Sequence, residues 1–198
     1  MKSEIGEKKI LVTGGTGFVG QHLVPLLLKE GYEVSVVSRD KEKASRFPWY
    51  ESVKYFALDI HTDDCSQIFR PGCALIHLAW QGLPNHNSPL HIEENLECNF
   101  QFLTSMVRQG VTHVLVTGTC LEYGEQNGAV SSSVVCAPHT TYGIAKHELY
   151  KKLECFSEKN PFCLQWARLF YMYGEGQHKN SLISQLDRAI ANKEKIFD

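Results

Sequence analysis

Short apolar runs alternate along the chain with longer amphipathic segments. Buried strands are predicted in KKILVTGG, YEVSVVSRD, SVKYFALDI, CALIHLAW, THVLVTGT and PFCLQWARLF. Between them, FVGQHLVPLLLKEG and IEENLECNFQFLTSMVRQG carry apolar residues at i, i+3, i+4 and i+7 and end at a glycine, which predicts amphipathic helices. This alternation predicts an α/β fold, a doubly wound Rossmann-type parallel sheet with helices on both faces.

Two loops are rich in turn-forming residues. QGLPNHNSP occupies residues 81–89 and GEQNGAVSSSVVCAP occupies residues 124–138, and each follows the C-terminal end of a predicted strand. Ligands bind at that edge of an open parallel sheet, so we expect both loops to face a ligand. The final segment, SLISQLDRAIANKEKIFD, predicts a helix followed by the first residues of another strand.

Composition excludes several classes of partner. The chain has 198 residues and a net charge of -2, with scattered cations, which is not the footprint of a nucleic-acid-binding protein. Its seven cysteines are dispersed without a CxxC motif, which indicates reduced thiols. The charged start, MKSEIGEKK, fits neither a signal peptide nor a membrane span. We therefore predict a cytoplasmic protein with no membrane or nucleic-acid partner.

A glycine loop, TGGTGFVG at residues 13–20, joins the first strand to the first helix. Gly14 would allow a tight turn, and Gly17 would allow the backbone to approach a pyrophosphate closely. Gly20 would allow the helix to pack closely on the strand. A plain glycine turn is the alternative, but the flanking strands and helix favour a dinucleotide site. The residues expected to bind the cofactor there are Gly14, Thr16, Gly17, Phe18, Val19 and Gly20.

The end of the second strand bears on the choice of cofactor. NAD sites usually carry an acid there that binds the ribose 2′-hydroxyl, whereas this chain has Ser38 and Arg39. An arginine without that acid favours a 2′-phosphate, so we predict NADP over NAD. Alternatively, Arg39 is a solvated loop cation and Asp40 binds the ribose.

Tyr142 and Lys146 are four residues apart in the predicted helix HTTYGIAKHELYKKL, so their side chains share a face. A nearby ammonium would lower the pKa of the phenol and make Tyr142 an acid or base usable near neutral pH. Such pairs also occur by chance on exposed helices. Downstream of a dinucleotide loop, the pair indicates catalysis.

The chain resembles the extended short-chain dehydrogenase/reductases, the family of NAD(P)-dependent sugar-nucleotide epimerases, dehydratases and reductases. The likeness extends from residue 9 to about residue 180, within the accuracy of such boundaries. The motifs that carry it, in order, are TGGTGFVG, LDI, HLAW, VTGTCLEYG, YGIAK and RLFYMYGEGQ.

This resemblance implies roles for individual residues. Tyr142 matches the family's proton-transfer residue. Lys146 matches the lysine that lowers the pKa of that tyrosine and binds the nicotinamide ribose. Thr119 matches the residue whose hydroxyl binds the reacting sugar oxygen. The remaining matches are to cofactor-binding positions, namely Asp59 and Ile60 at the adenine, Leu78 and Ala79 at the riboses, and Asn95 near the site. A nucleotide-diphosphate sugar would be the substrate, and relatives suggest a homodimer.

Several of these residues have a structural alternative. Asp59 could be a strand-end turn residue, and Asn95 a buried amide satisfied by backbone. We expect His77 to be a packed core residue. His86, His91 and His139 are expected at loop or helix surfaces, and no metal site is predicted.

The two residues directly after Thr119 narrow the choice of reaction. Dehydratases of the family carry an Asp-Glu pair directly after this threonine, whereas this chain has Cys120 and Leu121, which argues against dehydration. We expect Cys120 to be an inert thiol and Glu122 to bond backbone. Two readings remain, a 4-keto reductase, which Arg39 favours, and a 4-epimerase with tightly bound NAD.

Two aromatic residues depart from the family pattern. Tyr171 stands where an asparagine is common and Trp80 where a small residue is usual, so both could stack on the sugar or nicotinamide or simply fill space. We include both among the cofactor-binding candidates.

The length of the chain sets a further expectation. Relatives usually continue for about another hundred residues. We expect residues 1–173 to form the NAD(P)-binding domain and residues 174–198 to begin a substrate lobe that is largely absent, leaving a fragment with a damaged substrate site. A regulator that binds NADP(H) without catalysis is the alternative from another class, and a Tyr142→Phe change would distinguish it.

Overall fold

Six parallel strands form one sheet, in the order β3-β2-β1-β4-β5-β6. A computed structural model describes residues 8–68 and 72–193. The strands are β1 (Lys9–Thr13), β2 (Glu33–Ser38), β3 (Lys54–Ala57), β4 (Ala74–His77), β5 (His113–Thr119) and β6 (Cys163–Leu169). All six strands that the apolar runs predict are confirmed, and so is the doubly wound parallel order.

Helices connect the strands on both faces. They are α1 (Gly20–Lys29), α2 (Lys41–Ala44), α3 (Leu96–Arg108), α4 (Thr141–Lys159) and α5 (Leu182–Ala191). A π-helical turn, His91–Asn95, precedes α3 directly. The strand predicted after α5 lies outside the described residues.

The core has one part on each face of the sheet because side chains alternate along each strand. Leu11 and Leu75 pack on one face with Leu103 of α3 and Leu149 of α4. On the other face, the β-branched residues of β1 and β2 pack against α1, and that cluster comprises Ile10, Val12, Val24, Leu27, Val34, Val36 and Trp49. Helices thus hold β1, β4 and β5 rigidly, and the loops after these strands are positioned by that core.

The strand order reverses between β1 and β4, which are direct neighbours. In such sheets a crevice opens at the carboxyl ends of the strands on either side of this point. The glycine loop follows β1 there, and the segment Leu78–Gln81 follows β4. This is the place that the fold offers to a ligand.

Two chemical expectations concern the fold as a whole. All seven cysteines lie within the described residues and are free, as the scattered spacing predicts. Among the helices of residues 8–68 and 72–193, none has the length and apolar character needed to cross a membrane.

Candidate active site

A large pocket of about 860 Å³ lies along the carboxyl edge of the sheet. It extends from the glycine loop and the end of β2, past β4 and β5, to the segment after β6. Every residue predicted for the site lines it except Asn95. Those that do are Gly14, Thr16, Gly17, Phe18, Val19, Gly20, Ser38, Arg39, Asp59, Ile60, Leu78, Ala79, Trp80, Thr119, Tyr142, Lys146 and Tyr171.

The glycine loop is shaped by close backbone contacts. Gly14 has a φ of 73°, and a Cβ atom there would lie 2.8 Å from the backbone nitrogen of Ala79. A Cβ at Gly20 would lie 2.5 Å from the carbonyl oxygen of Gly14. No side chain caps α1 at Val19, and the first turn has no acidic residue, so its positive end is open to an anion. This cradle fits the diphosphate of a dinucleotide.

The end of β2 carries hydroxyls and cations rather than an acid that is free to bind a ribose. Ser38 Oγ accepts a hydrogen bond from Thr16 Oγ1 at 3.2 Å and lies 2.9 Å from the Tyr55 hydroxyl. The Asp40 carboxylate caps α2 by accepting from the backbone N–H of Lys43 at 2.8 Å. Lys43 also lines the pocket.

Asp59 lies two residues after β3, and its contact with an adenine stays a prediction. It lines the pocket, and its Oδ1 accepts a hydrogen bond from the backbone N–H of His61 at 2.9 Å in the turn after β3. Its Oδ2 lies 3.6 Å from Arg39 Nη1, although the Arg39 side chain is 60% exposed. The ion pair lies where the ends of the paired strands β2 and β3 meet, at one end of the pocket.

Thr119 and Glu122 form a capping box at the end of β5. Glu122 Oε1 accepts from the backbone N–H of Thr119 at 2.8 Å, and Thr119 Oγ1 accepts from the backbone N–H of Leu121 at 3.3 Å. The Thr119 hydroxyl therefore keeps its own proton available for a ligand oxygen. The prediction that Glu122 bonds backbone is confirmed.

Tyr142 lies in the first turn of α4, where loop 81–90 meets the helix. Its backbone N–H donates to the carbonyl oxygen of His86 at 3.0 Å. Its ring packs between aromatic side chains, with centroid distances of 5.7 Å to His86, 5.3 Å to His91 and 5.7 Å to Trp80. The phenol is thus held against one wall of the pocket.

The electrostatics of Tyr142 differ from the prediction. Burial, followed by the negative charge of Glu122 and then Cys120, raises the pKa of Tyr142 above its usual value. The expectation that Lys146 lowers this pKa is wrong for this arrangement. The helical spacing was correct, but the ammonium lies 5.9 Å from the Tyr142 ring centroid and has other partners.

Lys146 is almost fully buried, with 1% of its surface exposed. Its Nζ donates to the carbonyl oxygen of Thr117 at 2.8 Å and lies 4.0 Å from the centroid of the Trp80 ring. Burial lowers the pKa of Lys146 to about 7, against the opposing attraction of Glu122. The Lys146 amine can therefore gain and lose a proton near neutral pH.

Two residues near the site are placed differently from the prediction. His91 is fully buried, not at a surface, because the π-helical turn directs it inward against Trp80 and Tyr142. Asn95 is not among the pocket residues. Its Nδ2 donates to the carbonyl oxygen of Gln81 at 3.0 Å, as the structural alternative expects, but its buried Oδ1 has no hydrogen-bond partner among the described residues.

The histidine on β4 is a core residue, as predicted. His77 is fully buried, with Nδ1 2.9 Å from Thr13 Oγ1 and Nε2 2.8 Å from Asn99 Oδ1. Since an amide oxygen can only accept, Nε2 carries the proton and Nδ1 accepts from Thr13. This chain of bonds joins β1 and β4 to α3 directly beneath the pocket.

Cys120 lines the pocket next to Thr119, and burial raises the pKa of its thiol. This agrees with an inert thiol. His139 is exposed, as expected, and His86 is an exposed loop residue whose ring nevertheless lines the pocket.

Tyr171 lies at the rim, 89% exposed, at the start of the segment after β6. Other residues of this wall and floor escape sequence reasoning because nothing in their type marks them. Position at or after the carboxyl end of a strand would have found most of them, whereas Lys43 lies on α2. They include Lys43, Leu58, His61, Gln81, Leu83, Thr117, Leu169, Phe170, Met172 and His178.

Potential metal ligands meet at one place in the described chain. One ligand atom each from Glu122, Cys136 and His147 lie within 4.8 Å of one another. The Glu122 carboxylate already accepts from Arg168 Nε at 2.8 Å and from Trp166 Nε1 at 3.0 Å. Because a guanidinium already neutralises this carboxylate, we assign no metal to the cluster.

The sequence was compared with models of known protein families. Residues 10–197 match the model described as the NAD dependent epimerase/dehydratase family. The chain belongs to this family. The resemblance to the extended short-chain dehydrogenase/reductases is thereby confirmed.

Individual family members are similar over most of the chain. A dTDP-6-deoxy-L-talose 4-dehydrogenase (NAD(+)) of Aggregatibacter actinomycetemcomitans is 31% identical over 95% of this chain and 70% of its own length. UDP-arabinose 4-epimerase 1 of Arabidopsis thaliana is 28% identical over 87% of this chain and 45% of its own.

A solved structure confirms the fold. MoeE5 in complex with UDP-glucose and NAD is 30% identical, with a TM-score of 0.76 over 96% of this chain and 62% of that one. The chain therefore spans only part of the length of these family members, from 45% to 70%.

Proposed function

We propose that the protein transfers a hydride at C4 of a nucleoside-diphosphate sugar, as a reductase of the 4-keto sugar. The observation that carries this proposal is the shared pocket of Thr119, Tyr142 and Lys146, continuous with the glycine cradle. A dinucleotide in the cradle would extend along β4 towards these side chains. This chain would supply the cofactor cradle and these three side chains to that reaction.

The residues present suit the two transfers that reduction needs. The nicotinamide, when bound, supplies the hydride to the carbonyl carbon. The Thr119 hydroxyl would donate a hydrogen bond to the carbonyl oxygen, and Tyr142 would give that oxygen its proton. A raised pKa keeps Tyr142 protonated at neutral pH, and the strongly basic alkoxide that hydride transfer leaves on the sugar can take that proton. Lys146 would return a proton to the phenolate, since its pKa is about 7.

The direction and outcome of the reaction rest on two further observations. Cys120 and Leu121 occupy the positions where a dehydratase would hold its acid and base. The 31% identical relative is named as a 4-dehydrogenase, and the reverse of oxidation at C4 is reduction of the 4-ketone. A 4-epimerase is the second candidate, supported by the relative that carries that name.

We further propose NADP(H) as the preferred cofactor. The support is a strand end with Ser38 in place of an acid, the cations Arg39 and Lys43 beside it, and an Asp40 carboxylate engaged as a helix cap. The pairing of Arg39 with Asp59 at 3.6 Å is loose and exposed, so a 2′-phosphate could compete for the guanidinium. Relatives named with NAD make a direct comparison of both cofactors necessary.

The boundary of the cofactor domain also remains a proposal. We place it near residue 173, because the described sheet ends at Leu169 and α5 begins at Leu182. The segment between is tied back to α1, where Gln21 Nε2 donates to the carbonyl oxygen of Glu175 at 2.8 Å.

The test is a pair of titrations followed by a substrate screen. NADPH and NADH are titrated into the protein, and nucleoside-diphosphate 4-keto sugars are then screened for oxidation of the bound cofactor. A reductase oxidises one cofactor per sugar reduced. An epimerase instead interconverts 4-hydroxy sugars with no net change in the cofactor. Binding without any turnover supports the regulator when the protein assayed carries a complete substrate lobe.

A further inference from the structure

Trp80 occupies a wall of the pocket where its ring touches two of the proposed reacting side chains. The Lys146 ammonium lies 4.0 Å from its ring centroid, within cation-π range. The ring also meets Tyr142 edge-on, with a centroid distance of 5.7 Å and an interplanar angle of 64°. The family resemblance alone predicts only a small residue at this position.

The indole is fixed in orientation by His91. Its Nε1 donates to His91 Nδ1 at 3.1 Å, and His91 Nε2 lies 2.7 Å from the carbonyl oxygen of Asn85. Because a carbonyl can only accept, His91 carries its proton on Nε2 and presents Nδ1 as an acceptor. Asn95 Nδ2 reaches the same Nδ1 at 3.2 Å. Since His91 is fully buried, this anchor is part of the core.

We propose that Trp80 is a positioning residue that, fixed by His91, holds the Lys146 ammonium against the Thr117 carbonyl in the wall of the pocket. The proposal deepens the proposed function because Lys146 takes part in it. The geometry, however, can be tested without catalysis.

The energetic reason lies in the surroundings of Lys146. The ammonium is removed from water, and the titratable groups that face it are the Glu122 carboxylate, the His77 imidazole and the Tyr142 phenol. Glu122 favours the charged form, whereas burial opposes it. The face of an indole carries negative potential, and a desolvated cation gains more from it than an exposed one. Trp80 thus stabilises the ammonium in addition to the Glu122 carboxylate and the Thr117 carbonyl oxygen.

The contact is tested by NMR of protein with ¹³C-labelled lysine. The Lys146 Cε signal is assigned by its loss in K146M, and its titration midpoint is followed in wild type, W80L and W80F. Leucine keeps the site apolar but removes the ring, so we expect the midpoint to fall by about one pKa unit. Phenylalanine keeps a ring face, so we expect a smaller fall in W80F. The upfield ring-current shift of the Lys146 Hε protons should disappear in W80L.

Trp49 provides the matched control because it is a buried tryptophan in the cluster on the opposite face of the sheet. In W49F the Lys146 midpoint should equal that of wild type. A midpoint that is unchanged or raised in W80L, or lowered equally in W80L and W80F, would overturn the proposal. If W80L does not give a cooperative thermal transition, W80M supplies the same comparison. Failure of the enzymatic proposal would leave these shifts untouched, so the two are separable.

Discussion

Arg168 Nε donates a hydrogen bond to Glu122 Oε2 at 2.8 Å, and the glutamate side chain is fully buried. This ion pair joins β6 to the turn after β5. The same carboxylate accepts the backbone N–H of Thr119, so the pair also fixes the residue proposed to bind the substrate oxygen. Glu122 was not a predicted site residue, yet the position of Thr119 depends on it.

Glu122→Ala should therefore be strongly destabilising. It removes one partner of a buried pair and leaves the Arg168 guanidinium and the Thr119 N–H without their acceptor, a loss of roughly 3 to 5 kcal/mol. Urea unfolding measures it. The control is E97A, which breaks the exposed Glu97–Lys152 pair of 2.6 Å and should cost less than about 1 kcal/mol. Equal losses in both variants would contradict the structural role of Glu122.

Tyr142→Phe should slow turnover strongly while leaving the cofactor in place. Removal of a positioned proton donor lowers the rate by about 10² to 10⁴-fold, whereas the buried ring and its aromatic contacts are kept. Stopped-flow oxidation of the bound cofactor and equilibrium titration measure the two effects. Tyr150→Phe, two turns further along α4, is the control and should keep full activity. Wild-type turnover in Y142F would exclude the proposed mechanism.

Arg39→Ala should discriminate between the two cofactors. Loss of a charge-assisted bond to a 2′-phosphate should weaken NADPH binding by about tenfold or more, with little change for NADH. Isothermal titration with both cofactors measures this. Lys41→Ala, two residues away on α2 and outside the pocket lining, is the control. Equal weakening of both cofactors in R39A, or tighter NADH than NADPH in wild type, would count against NADP.

The stability of the protein should fall as the pH is lowered below about 6.5, the ordinary pKa of histidine. Burial, and then the charge of Lys146, lowers the pKa of His77 to about 3. Between these values the unfolded chain binds a proton that folded His77 does not, which favours unfolding by up to about 1.4 kcal/mol per pH unit.

Urea unfolding of wild type and H77N from pH 7 to pH 5 isolates this contribution. The slope of the unfolding free energy against pH should be shallower in H77N, because unfolding of this variant takes up about one proton fewer. His139→Asn, at an exposed loop position, is the control variant. Parallel slopes in wild type and H77N would show that His77 is not the group responsible.

Much of the fold can be predicted from the sequence because periodicity fixes both element type and buried face. The alternating residues of β1 place Leu11 and Val12 in opposite cores, and the apolar spacing of α1 buries Val24 and Leu27. The glycine loop was also predictable, because a tight turn between strand and helix requires residues without a Cβ.

The electrostatics of the site could not be predicted in the same way. Spacing places Tyr142 and Lys146 on one helix face, but their pKa values depend on the side chains that pack there from elsewhere. Trp80 and Glu122 lie after the ends of two other strands. Their contacts with Lys146 and Tyr142 cannot be predicted from the sequence around α4. His91 was misplaced because the π-helical turn shifts the helical phase at the residues before α3.

We propose above that the residues of this pocket support hydride transfer to C4 of a nucleotide sugar. The most direct measurement uses reduced cofactor with deuterium at both positions of nicotinamide C4, a nucleoside-diphosphate 4-keto sugar and the protein, with product detection by mass spectrometry and NMR. The expected result is a product one mass unit heavier, with deuterium at sugar C4, formed at least about 100-fold more slowly with Y142F. Deuterium retained in the cofactor while the sugar is unchanged, or label at any other sugar carbon, would contradict it.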